Sequence, residues 1–62
     1  MIGTFKVEKS GAEIFSCEFP LEDEGIVGMK WADGVKFCID EFHKAHPGLS
    51  LWETRIAVGS RP

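Results

Sequence analysis

The sequence predicts an α+β fold of β-β-α-β order, with a three-stranded, mainly antiparallel sheet in spatial order 2-1-3 and one helix packed on one face. Three observations carry that prediction. Thr4-Phe5-Lys6-Val7-Glu8 and Glu13-Ile14-Phe15-Ser16-Cys17-Glu18-Phe19 both alternate apolar and polar residues, the period of two of a half-buried strand. Val35, Cys38, Ile39 and Phe42 recur at three and four residues, the period of an amphipathic helix. From Leu49 to Val58 the alternation returns.

The first strand is expected over Ile2 to Glu8 with Phe5 and Val7 inward, and the second shows Phe15, Cys17 and Phe19 on one side. Ser10-Gly11 between them marks a hairpin turn. A two-residue loop there would set Glu8 opposite Glu13, and like charges facing each other are destabilising. It would also turn Phe15, Cys17 and Phe19 away from the face of Phe5 and Val7. The expectation is therefore an odd-membered or bulged turn, with Gly11 at positive φ.

Pro20 ends the second strand because it has no N–H for a ladder, and Glu22-Asp23-Glu24-Gly25 reads as a polar connection. Residues 25–32 fit helix, strand or loop; Gly25, Gly28 and Gly34 each weaken a helix by about 1 kcal/mol. The helix is expected from Asp33, with Lys36, Asp40, Glu41, His43 and Lys44 on its outer side. Lys44 and the two histidines, both expected to be exposed, suit the negative end of the helix dipole, and Pro47-Gly48 stops it. The last strand, Leu49 to Val58, puts Trp52, Thr54, Ile56 and Val58 on one side and Leu51, Glu53, Arg55 and Ala57 on the other, leaving residues 59–62 as a tail. The helix returns the chain along the sheet, so strands two and three run parallel and flank strand one. One helix covers one face; Lys6, Ile14, Glu53 and Arg55 are expected on the other.

The 62 residues make a single domain, residues 1–62. Its thin core favours help from dimerisation or a partner. Two cysteines are too few for a disulfide framework, and no apolar run approaches the roughly 20 residues of a membrane span, so a cytoplasmic chain is expected. The net charge is −3 and the basic residues are scattered, which argues against gripping a phosphate backbone directly.

No constellation points to catalysis. His43 and His46 lie three apart, but Cys38 points about 140° from His43 around a helix, and the paired short spacings of a zinc site are absent. Asp40 and Glu41 are adjacent and splay apart. No phosphate-binding loop occurs, and neither cysteine has the surroundings that make a reactive thiolate. No enzyme, cofactor or metal is expected.

Phe5 and Val7, then Ser16-Cys17-Glu18-Phe19-Pro20, then Pro47-Gly48, then Thr54-Arg55-Ile56 follow one another in an order that resembles the small bacteriophage-encoded inhibitors of bacterial host RNA polymerase. In that family an aromatic-led strand, a second strand ending Ser-x-Glu-x-Pro, a helix, a Pro/Gly break and a strand with Thr-Arg-Val succeed one another. The family's second arginine, two residues after Thr-Arg, is Ala57 here. The resemblance implies a host-takeover or anti-defence protein that blocks a host nucleic-acid enzyme, whether RNA polymerase, a CRISPR effector or a toxin, by stoichiometric binding. Arg55 carries over as its anchor. With Arg55, the expected partner-binding residues are Glu53, Glu18, Trp52 and the acidic cluster Glu22, Asp23 and Glu24. The alternative is a homodimeric structural or accessory module that uses its exposed sheet face or an edge strand.

Overall fold

A computed structural model describes residues 1–62. Strands β1 (Ile2–Lys9) and β2 (Ala12–Pro20) form a hairpin, helix α1 (Trp31–Ala45) follows, a 3-10 turn spans Leu51–Glu53, and β3 (Arg55–Arg61) completes the chain. The sheet has the order β2-β1-β3 with both pairings antiparallel. This is the α+β, 2-1-3 arrangement that the periodicities imply.

The hairpin solves its register conflict two residue pairs beyond the predicted place. Lys9 pairs with Ala12 and Glu8 with Glu13, so the turn is the even, two-residue Ser10-Gly11 loop, with φ of 55° and 80°, as a type I′ turn requires. The irregularity lies beyond it: Val7 pairs with Phe15, leaving Ile14 as an extra residue of β2. That bulge moves Phe15, Cys17 and Phe19 onto the face of Phe5 and Val7. The Glu8–Glu13 repulsion is offset by cations, with Lys6 Nζ 3.9 Å from Glu13 Oε1 and Arg55 directly across from Glu8 on β3.

α1 begins two residues before Asp33, at Trp31, and passes through Gly34. The residues before it turn back on themselves at Glu24-Gly25, with Asp23 bridged to Ile26 and Leu21 to Met29 and Gly28 packed against the Leu21-Glu22 backbone. The buried apolar core is Phe5, Val7, Phe19, Leu21, Cys38 and Phe42. Phe15 meets the rings of Phe5 and Phe42 edge-on at centroid distances of 6.3 and 5.5 Å. The Phe19 ring lies between two glycines, Gly3 of β1 and Gly34 of α1, and a Cβ added at either would come within 3 Å of ring atoms. Gly34, unfavourable for the helix as a local residue, is what lets helix and sheet close on Phe19.

Three other expectations are corrected. The end of α1 does not expose both histidines: His46 is half-buried, donates from Nε2 to the Ile14 carbonyl at 3.2 Å and packs on Phe42 at 5.4 Å. The stretch Leu51–Glu53 is a 3-10 turn because Ser50 and Glu53 form a capping box, a local hydrogen-bond pattern that competes with strand pairing. Residues 59–61 are strand, paired through Ser60 and Arg61 with Gly3 and Ile2, where a tail is expected from the sequence.

Candidate protein-binding surface

The helix-free face of the sheet is charged and internally neutralised. Register places Lys6, Glu8, Glu13, Glu18, Arg55 and Arg61 on it together. Three cations there balance three anions. Arg61 reaches across β1 to Glu18, its Nη2 2.6 Å and its Nε 3.0 Å from Glu18 Oε2. Gly59 opposite Thr4 keeps the route low, since a Cβ at Gly59 would stand 3.3 Å from Thr4 Oγ1. Exposed pairs of this kind contribute at most about 1 kcal/mol each. Two residues expected on this face lie elsewhere: Ile14 is half-buried against the core, and Glu53 belongs to the 3-10 turn.

The sequence-derived binding residues do not converge. Arg55 sits at the Glu8 end of the sheet, while Glu22, Asp23 and Glu24 follow Pro20, which pairs with Ile2 at the other end. Six residues of strand separate those ends, about 20 Å. The acidic segment is a tight turn in which the Asp23 and Ile26 backbones bond each other at 2.8 and 3.3 Å and Asp23 Oδ1 accepts from the Glu24 N–H. Ile26 and Val27 are exposed beside it. Glu18 is engaged by Arg61. Glu53 has a structural task, its Oε2 accepting from the Ser50 N–H at 3.2 Å.

Trp52 is the member of that set in an unusual position. Its residue is 97% exposed, yet the turn that holds it is well braced: Ser50 Oγ accepts from the Trp52 N–H at 3.2 Å, and Thr54 Oγ1 donates to the Leu51 carbonyl at 2.8 Å. The braced backbone has little conformational entropy left to lose on binding, so mainly the two torsions of the exposed indole have to be fixed. The chain leads from it directly into β3, where Ile56 and Val58 lie across from Val7 and Phe5 and hence on the helix side. Whereas Val7 and Phe5 are fully buried, Ile56 and Val58 are 40% and 45% exposed. α1 packs over β2 and β1 and leaves this third of the apolar face open. Alternation in the sequence marked Ile56 and Val58 as inward; the lateral position of the helix, which the sequence does not encode in any short motif, determines that they are uncovered.

The two cysteines meet between sheet and helix. Burial, helped by the hydrogen-bonded thiol of Cys17 and then by the carboxylate of Glu41, pushes the Cys38 thiol up to about 12. A thiol in that state is a small apolar filler and a poor nucleophile. The surface has no pocket, and no helix is long and apolar enough to cross a membrane. Comparison with known proteins finds no family model, no curated relative and no solved structure that matches the chain.

Proposed function

We propose that the chain is a non-catalytic protein-binding inhibitor that acts stoichiometrically on a host protein or complex working on nucleic acid, as its resemblance to phage-encoded polymerase inhibitors implies. The observation that carries the reading is Trp52, 97% exposed on a turn capped by Ser50 and Glu53 and continuous with the open apolar residues of β3. Tryptophan is the residue most enriched in binding hot spots. The net charge of −3 supports a partner with a basic channel or groove, because opposite charge speeds encounter and selects against acidic surfaces. Trp52 and the open β3 residues therefore replace Arg55 as the proposed anchor, and Arg55 becomes a flanking charge.

The test is affinity capture with the immobilised full chain, using bacterial lysate and then purified bacterial RNA polymerase, with Trp52→Ala in parallel. A stoichiometric large partner is expected for the native chain, with binding weakened at least tenfold by Trp52→Ala. Capture of nothing above background, or equal capture by both, refutes the proposal. In a transcription assay with the purified polymerase, inhibition identifies that enzyme as the target; its absence, with capture intact, directs the search to other nucleic-acid machines.

A further inference from the structure

The two edges of the sheet are built differently. β2 is blunted on its outer side: it carries the Ile14 bulge, the His46 ring bonded to the Ile14 carbonyl and a proline at its end. These are the devices by which proteins keep an edge strand from pairing with another chain. β3 has none of them. It contains no proline, its register with β1 is unbroken, none of its seven residues is buried, and its charges, Arg55 and Arg61, stand at its two ends.

We propose that β3 pairs antiparallel with β3 of a second copy about a two-fold axis at Ala57, joining two three-stranded sheets into one of six strands. The proposal deepens the binding function above and rests on it: edge pairing leaves the helix-side face open and fuses two apolar strips into one.

The register follows from the residues. Directly opposed residues in an antiparallel pair share a face, so a two-fold pairing that keeps both helices on one side must be centred on a residue. Centred on Val58, it would place Arg55 opposite the partner's Arg61 twice, a repulsive arrangement. Centred on Ile56, it would pair only three residues of the strand; centred on Gly59, it would pair five, as on Ala57, but would set Val58 opposite the partner's Ser60 and leave Ile56 outside the pairing. Centred on Ala57, it sets Ile56 opposite the partner's Val58, and Val58 opposite the partner's Ile56, four contiguous β-branched side chains of the kind that stabilise cross-strand contact. It also sets Arg55 opposite the partner's Gly59, where no side chain obstructs it, and leaves Arg61 on its Glu18 bond. The product is an apolar floor between the two helices, with a Trp52 turn from each copy at its margins. A five-residue edge pairing is at the low end of interface size, under about 1,200 Å² in total, so the dimer is a weak, reversible one with a midpoint in the micromolar range.

Sedimentation equilibrium of the full chain alone, from about 1 μM to 1 mM, tests this without any partner present. The native chain is expected to rise from 6.9 kDa toward twice that mass. Ala57→Glu puts a carboxylate across from Lys6 within the monomer, so the fold is retained, and across from its own copy in the dimer, so association weakens at least tenfold. Register is read separately by cysteine crosslinking, where Ala57→Cys is expected to form a disulfide-linked dimer faster than Val58→Cys. A native chain monomeric at 1 mM, Ala57→Glu with unchanged association, or preferential crosslinking at position 58 overturns the proposal. None of those results bears on Trp52-dependent capture of a target, so the dimer and the binding function fail independently.

Discussion

Replacing a helical glycine by alanine ordinarily stabilises a protein, by up to about 1 kcal/mol in a helix interior. At Gly34 the opposite is expected. A Cβ there would lie 2.6 Å from Phe19 Cζ and closer still to the ring edge, and the ring has no retreat because Gly3 closes its other side, where a Cβ would lie 2.7 Å from Cε1. Either the helix lifts or Phe19, now 1% exposed, leaves its slot. Losing that burial costs about 1.5–3 kcal/mol, so after the propensity gain Gly34→Ala should destabilise by about 0.5–2 kcal/mol, or roughly 2–16 °C in melting temperature for a domain of this size. Urea and thermal unfolding followed by circular dichroism measure it. Phe19→Leu supplies the discriminating background: with the ring gone, Gly34→Ala should become neutral or stabilising, a coupling of at least about 0.5 kcal/mol. Stabilisation of the native chain by Gly34→Ala, or simple additivity with Phe19→Leu, would refute the glycine slot.

Two further outcomes are expected from the core and the hairpin. The folded chain holds the Cys38 proton to about pH 12 against an ordinary value of 9.0, so the stability tied to this thiol is intact below pH 9 and lost as pH rises from 9 toward 12, by about 1.4 kcal/mol per unit. Urea unfolding from pH 7 to 10.5 should therefore show a shallower alkaline decline in Cys38→Ala than in the native chain, although the variant is the less stable at pH 7; parallel declines contradict the burial argument. Gly11→Ala forces an alanine to φ near 80° in the type I′ turn and should lower stability by about 1 kcal/mol, whereas Gly48→Ala, which meets nothing within 4 Å, should change it little in the same denaturation assay.

Much of the fold was legible because local chemistry and tertiary structure agreed. Phe5 and Val7, Phe15, Cys17 and Phe19, and the Val35, Cys38, Ile39 and Phe42 series each announce a buried face by period alone. The Glu8–Glu13 clash correctly signalled an irregular hairpin. The clash does not give its location, because a bulge two residue pairs beyond the turn restores the common face as well as a bulged turn does, while Lys6 and Arg55 reduce the cost of the clash. The 3-10 turn has a visible signature, Ser50 followed three residues later by Glu53, but the alternation of Leu49 to Val58 points to strand and competes with it. The binding residues were less legible. Arg55 comes from the resemblance and the acidic cluster from its charge, yet the strand lengths put them at opposite ends of the sheet.

The order of elements, the 2-1-3 sheet and the identity of most core residues were determined by the sequence itself, because periods of two and 3.6 and the turn residues between them act locally. Only the tertiary structure decided which apolar positions remain open. Ile56 and Val58 have the same inward pattern as Phe5 and Val7; they differ in lying one strand further from a helix that is held over β2 and β1 by Phe19 in its glycine slot. A face's exposure depends on where distant elements come to rest, and no local period records that.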